Sequence, residues 1–307
     1  MAAPPPSALL KSTLESQPSC QRFVRFDDKY LFLGFGANSG EGAGHKIPPL
    51  EVRMVSLADR SVQRLDLDDA AVDAARVDST LWVLTSSALE EWDITRMARV
   101  KSYVTYNIGN REFDYQENPT GMVLYKDLLV ISHGRLGYSI FDTTKKSLVF
   151  QTKLIPNQAP MESMATGVTI SGNKAYFILD NFTLSYPNQP VAFRGFVVVN
   201  LDSNKIESQL DGMDPGSDAT ISNGNTLIVS FWGQPVWKYA LNTLAGKKLP
   251  EPLARIASFS IPGHPIGTPS MDDQYYYTCY EKMDLSQPGG KATLVPMAMD
   301  RKVFHLD

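Results

Sequence analysis

The side chains able to do chemistry are few and scattered. Four histidines, His45, His133, His264 and His305, offer the residue type most used as metal ligand and general base. No HxH or HExxH spacing joins any of them. A second set is rich in oxygen: Asn118, Glu162, Asp214 or Asp218, and beside them His264, stand at the heads of successive apolar runs. Brought together, such groups would suit Ca²⁺ or Mg²⁺, hard cations that take oxygen ligands; left apart, they simply meet water. A third set mixes aromatic and acidic side chains over residues 111–117, where Phe113, Asp114 and Tyr115 are consecutive, and adds Tyr106 and Trp232. Aromatic surfaces with polar rims suit sugars or protein partners. The tetrapeptide Ser132-His133-Gly134-Arg135 is not a nucleophile elbow, and GxSxG, P-loop and GxGxxG patterns are absent. Residues 34–40 are glycine-dense but lead into no helical pattern, so a phosphate cradle at a helix N-terminus is not expected.

Composition narrows the setting. Of 307 residues, 43% are apolar and 20% charged, enough for a sizeable core and incompatible with global disorder. The net charge is −4 and no basic block stands out, which argues against nucleic acid as partner. No 18-residue apolar window exists, so no membrane-spanning helix is expected. Residues 1–18 lack a basic start and a long apolar stretch, and read as an extended leader rather than a signal peptide. They fit a mature secreted chain or an intact cytoplasmic one. The sequon Asn181-Phe182-Thr183 is of a kind expected by chance in this length. The two cysteines, Cys20 and Cys279, are either unrelated thiols or one long-range disulfide.

The elements that would position these groups repeat. Short apolar runs begin at Tyr30, Leu81, Leu128, Ala175, Leu227 and Tyr275, spaced 51, 47, 47, 52 and 48 residues apart. Each is rich in β-branched or aromatic residues and too short for a stable helix. A polar turn precedes each, such as Asp78-Ser79 or Gly172-Asn173, and before the turn lies another apolar segment. Each unit therefore opens with a tight hairpin. A third segment ends at Asp59, Asp93, Asp142, Asp202, Asn242 or Asp300, whose side chain would cap the following turn. A fourth strand follows over residues 61–67, 97–104, 147–154, 205–210, 253–260 and 303–306.

Four antiparallel strands repeated six times resemble the β-propeller repeat proteins, over residues 21–307. Trp92-Asp93 is similar to the WD dipeptide, but five units lack it, and the Gly-His partner and the kelch double glycine are missing. The loose pattern is nearer the YVTN, NHL and SMP-30-like propellers, in architecture only. The expected fold is an all-β, six-bladed propeller, with residues 1–20 as a leader and 21–307 as a single domain. A pair of β-sandwiches and a seven-blade count are the competing architectures.

The resemblance also sorts the loops onto two faces. One face would carry short turns, with residues 244–252 as the exception. The other would carry residues 36–50, 106–118, 155–164, 181–193, 211–217, 261–265 and 281–291. Long loops on a rigid scaffold are where binding residues concentrate. It further implies that Asn118, Glu162, Asp214, Asp218 and His264 converge on a channel mouth, where lactonase-like propellers hold a divalent cation. Ring closure would make the first and last blades neighbours, so a Cys20–Cys279 disulfide would latch the seam, contributing about 4–5 kcal/mol by loop closure. A disulfide favours a secreted or periplasmic location, with a cytoplasmic one left open. The expected function is a monomeric binding module for a protein or carbohydrate ligand, using Asn118, Glu162, Asp214, Asp218, His264, His133, Arg135, Tyr115 and Trp232. The alternative is a metal-dependent hydrolase at the channel mouth.

Overall fold

The computed structural model describes residues 20–26, 29–34, 51–56, 62–69, 71–109, 117–155, 163–180, 193–213, 217–223, 225–231, 236–256, 270–271, 275–277, 281–284 and 293–294. They form six four-stranded antiparallel sheets, each built from strands consecutive in the chain. Sheet 1 holds β1 (Cys20–Phe26), β2 (Lys29–Gly34), β3 (Glu51–Ser56) and β4 (Val62–Asp66). Sheet 2 holds β5 (Ala71–Val77), β6 (Thr80–Thr85), β7 (Leu89–Asp93) and β8 (Ala98–Tyr103). Sheet 3 holds β9 (Pro119–Tyr125), β10 (Leu128–His133), β11 (Gly137–Asp142) and β12 (Ser147–Thr152). Sheet 4 holds β13 (Met164–Ser171), β14 (Lys174–Asp180), β15 (Gly195–Asn200) and β16 (Lys205–Asp211). Sheet 5 holds β17 (Ser217–Asn223), β18 (Thr226–Phe231), β19 (Val236–Ala240) and β20 (Ala254–Ile256). Sheet 6 holds β21 (Ser270–Met271), β22 (Tyr275–Tyr277), β23 (Glu281–Asp284) and β24 (Thr293–Leu294). No helix among the described residues is long and apolar enough to cross a membrane.

The absence of polar alternation in the middle strands has a geometric cause. Successive side chains of a strand point to opposite faces, and here both faces are covered by another sheet. In β14, Phe177 and Leu179 pack toward sheet 3, while Tyr176 and Ile178 pack toward sheet 5. In β15, Val197 and Val199 join the first cluster, and Phe196 and Val198 the second. A third cluster joins Trp82, Leu84 and Leu89 of sheet 2 to Leu129, Ile131 and Phe141 of sheet 3. Each such side chain stabilises the fold by about 1.5–3 kcal/mol. The first strands of neighbouring sheets also touch in order, β1 on β5, then β9, β13, β17 and β21, and β21 in turn meets β1.

The turns show how the repeat is maintained. Two-residue hairpins join β5 to β6, β9 to β10 and β13 to β14, with positive φ at Asp78, Lys126 and Gly172. The residue after the third strand donates its N–H back across that hairpin: Ile94 to Ser79, Thr143 to Asp127, Leu201 to Asn173 and Leu241 to Asn225. Asp93 and Asp142 cap the turns after β7 and β11 by accepting two backbone N–H groups each, as expected.

Three expectations are corrected. In sheet 4 the cap is Asn200, which accepts from the N–H groups of Asp202 and Ser203; Asp202 sits two residues further on. Both are Asx residues, and only the pairing of β15 shows which ends the strand. In sheet 5 the equivalent position is Ala240, and Asn242 lies in a single 3-10 turn, Leu241–Thr243. In sheet 6 the third and fourth strands are β23 and β24, ahead of the segments expected at 300 and 303–306. Polar residues 281–284 read as loop in sequence, but backbone pairing with β22 makes them a strand. Residues 303–306, Asp59 and Asp300 lie outside the described residues.

Candidate functional site

The end of sheet 3 holds the connection arriving from sheet 2. Ser139 of β11 is fully buried and donates its hydroxyl to the Thr105 carbonyl at 2.5 Å. With that proton committed, the His133 imidazole donates Nε2–H to Ser139 Oγ at 3.0 Å. The Tyr106 ring stands edge-on to His133 with centroids 5.1 Å apart, and its hydroxyl donates to the Leu136 carbonyl at 3.1 Å. Gln151 of β12 exchanges two hydrogen bonds with the Asn107 backbone. Further along the connection, Glu117 accepts from Arg135 Nε at 3.1 Å and from its terminal nitrogen at 3.0 Å. Glu117 is buried, while Arg135 on the β10–β11 turn remains a third exposed. The second-to-third strand turn of sheet 3 and the sheet 2-to-3 connection therefore share one end of the sheet. Residues 110–116 of this connection lie outside the described residues.

Electrostatics supports a fixed mount. Burial holds the His133 imidazole neutral, with its pKa lowered to about 3; the Thr105 backbone only partly opposes this. Burial also raises the Tyr106 phenol above its ordinary value. A serine beside a histidine is the grammar of nucleophilic catalysis. Here neither side chain has solvent exposure, and the serine proton is spent on a carbonyl.

Sheet 4 repeats the device with other residues. Ser163 donates its hydroxyl to the Phe193 carbonyl. The Arg194 side chain lies 3.4 Å from the buried Asp180 carboxylate. The N–H groups of Gly212 and Met213 both donate to the Arg194 carbonyl. The described ends of the segment between β14 and β15 are thus fixed to the connection leaving sheet 4.

A second regularity lies on the first strands. Their pairing with the second strands slips by one residue near the start in five sheets. The extra residues are Gln21, Val72, Thr120, Thr166 and Asp218. Such bulges turn a strand and re-aim one side chain. The Thr120 hydroxyl shares a 2.8 Å hydrogen bond with Ser132 and bonds the Ala165 carbonyl of β13, tying sheet 3 to sheet 4. One residue beyond the bulge in β5, the buried Asp73 carboxylate accepts the Met122 N–H of β9 at 2.9 Å.

Of the residues singled out in the sequence, Asn118 is half-buried directly before β9, and Asp218 is the bulge residue of β17. His133 and Arg135 belong to the mount. Glu162, Asp214, His264, Tyr115 and Trp232 lie outside the described residues, as do His45, His305 and Cys279. Among the described residues no three His, Cys, Asp or Glu side chains cluster to hold a metal. Glu117, Ser139 and Thr105 were missed as partners. Eighteen residues separate Glu117 from Arg135, and no local spacing rule links them.

No family model matches this chain, and no curated protein matches it significantly. Solved structures show the architecture. U3-55K, a WD40 propeller, superposes with a TM-score of 0.54 at 11% identity, over 77% of this chain and 63% of its own. The computationally designed Ika8 protein superposes with a TM-score of 0.50 at 9% identity, over 87% and 68%. BamB from Moraxella catarrhalis gives 0.48 at 12% identity, over 87% and 73%. This chain thus spans less than two thirds of U3-55K. Together with the four-stranded antiparallel sheets, the likeness to U3-55K makes this an all-β protein of propeller architecture.

Proposed function

We propose that residues 21–307 form one six-bladed ring, preceded by a leader over residues 1–20, and act as a binding module for a protein or glycan. The contact of β21 with β1 supports closure of the ring. The recognition face is the one bearing residues 106–118 and 181–193, using Arg135, Tyr115 and Trp232, with Asn118, Glu162, Asp214, Asp218 and His264 as the channel-mouth set. His133 acts there as a mount. The observation that carries the reading is the anchoring of both described ends of the 104–118 connection on sheet 3, through Ser139 with His133 at one end and Arg135 at the other. Binding loops gain affinity when their ordering cost is met before the partner arrives. Cys20 opens β1, and its pairing with Cys279 would latch the ring and favour an oxidising compartment.

The test replaces residues 110–116 by a short Gly-Ser linker and compares affinity-captured partners and glycan-array binding with those of the unaltered chain. Loss of a specific ligand with an unchanged melting midpoint is expected. An identical ligand set in both proteins sinks the reading.

A further inference from the structure

We propose that residues 241–253 are a strap that couples the outer side of sheet 5 to the end of sheet 4 where β15 begins, with Asp211 as the positioning residue between them. The coupling is a property of the folded chain and needs no ligand.

The strap is the odd member of a regular set. The connections from third to fourth strand span residues 94–97, 143–146 and 201–204 in sheets 2, 3 and 4. In sheet 5 the connection runs over 241–253. It begins with local bonds: Leu241 N–H donates to the Asn225 carbonyl, and the Thr243 hydroxyl to the Ala240 carbonyl. Instead of turning back at once, the chain then runs along β16, the outer strand of sheet 4. Gly246 N–H bonds the Ser208 hydroxyl at 3.3 Å, and Lys248 forms a parallel bridge with Asp211. The strap ends back on sheet 5, where Leu253 N–H donates to the Lys238 carbonyl at 2.7 Å.

Apolar side chains hold the strap down. Leu241 and Leu244 are buried in the cluster that joins Phe196 and Leu210 of sheet 4 to Tyr239 of sheet 5, and Leu249 packs against it. Lys247 and Lys248 between these anchors stay exposed. The covered part of the β16 edge is thus filled by this chain itself, at the junction of two sheets.

Asp211 is engaged on two sides. Its N–H donates to the Lys247 carbonyl at 3.3 Å, and its carbonyl accepts the Leu249 N–H at 3.1 Å. Its carboxylate accepts the N–H of Arg194 at 3.2 Å and that of Gly212 at 2.9 Å, through one oxygen. Arg194 is the residue just before β15, and its carbonyl in turn accepts the N–H groups of Gly212 and Met213. One residue therefore commits its backbone to the strap and its side chain to the entry of β15. Lifting the strap frees the backbone that carries this carboxylate, and losing the carboxylate frees the backbone on which the strap sits. A contiguous hydrogen-bonded path of this kind carries coupling, and coupling between two sites is reciprocal.

The strap reports its own seating. The peptide bonds on either side of Lys248 are tied to Asp211, so a lysine-specific protease cuts them when the strap lifts. The test is limited trypsin digestion of the full chain, read by mass spectrometry at Lys247 and Lys248, with the exposed Lys145 as reference. Asp211→Ala is expected to speed cleavage in the strap by about 5-fold and leave cleavage after Lys145 unchanged. Asp211→Asn keeps the accepting oxygen and is expected to restore the original rate. In the other direction, Leu249→Ser is expected to speed hydrogen exchange of the Arg194, Gly212 and Met213 amides by about 5-fold, while Val198 in mid-strand keeps its rate. Should Leu249→Ser fail to fold, the pair Asp211→Ala and Asp211→Asn decides alone. Strap cleavage unchanged by Asp211→Ala, a rate that Asp211→Asn does not restore, or Arg194 exchange unchanged when Leu249→Ser has loosened the strap would each overturn the proposal. So would a uniform acceleration that includes Lys145 or Val198.

Discussion

The two ends of the sheets are built on different principles. At the hairpin end, one backbone hydrogen bond recurs in four sheets, from Ile94, Thr143, Leu201 and Leu241, and Asx side chains cap the turns from within the same few residues. At the other end the bulge of the first strands recurs in five sheets, but the side-chain contacts do not repeat residue for residue. Three contacts there run from side chain to backbone across 30 or more residues: Ser139 to Thr105, Tyr106 to Leu136, Ser163 to Phe193. The first end reproduces a unit cheaply from local chemistry. The second uses buried groups that serve one segment each, which is how a repeat acquires a unique surface.

The largest effect is expected where the second end admits no side chain. Gly137, at φ +102 at the start of β11, would place a Cβ 2.3 Å from the Thr152 carbonyl oxygen. Gly137→Ala is therefore expected to cost about 3 kcal/mol or more, measured by urea unfolding. A loss under about 1 kcal/mol would show that this turn yields as easily as a hairpin turn.

Next comes the pH dependence of the mount. The folded His133 has its pKa lowered to about 3 from 6.5, so below pH 6.5 the unfolded chain binds a proton that the folded chain refuses. Stability contributed by this group is complete above pH 6.5 and falls as the pH drops toward 3, by roughly 1.4 kcal/mol per unit at the steepest. His133→Gln is expected to flatten that acid limb relative to the unaltered chain. An identical slope in both proteins would place the acid sensitivity elsewhere.

The joint between sheets 2 and 3 ranks third. Asp73→Ala leaves the Met122 N–H without its buried acceptor and is expected to cost about 1–3 kcal/mol. A smaller effect comes from the hairpin end, where Asp142→Ala removes an acceptor for the N–H groups of Thr144 and Lys145 and is expected to cost about 1 kcal/mol. At the bottom stands Lys126→Ala. Its ion pair with Asp202 is exposed on both sides, and no measurable change in melting midpoint is expected. If Lys126→Ala proves costlier than Asp73→Ala, the contrast between the two ends fails.

Much of the repeat could be read before folding. Period, hairpins and the caps at Asp93 and Asp142 follow from local rules, because an Asx residue after an apolar run acts on its own backbone. The errors arose where local signals were ambiguous. Asn200 and Asp202 are both Asx, and residues 281–284 are polar yet paired. The site was readable only as a region. His133 and Arg135 were marked out by type, but that His133 faces Ser139, and that Arg135 meets Glu117, depends on pairing between β10 and β11 and on the path of the connection above them.

By itself the sequence determined the class of element and the turn chemistry, since each is set by residues within one strand or one hairpin of each other. The tertiary structure alone decided which buried polar groups are partners, where the first strands bulge, and which outer edge is covered. Those depend on sheets meeting face to face and end to end, over separations at which residue type carries no distance information.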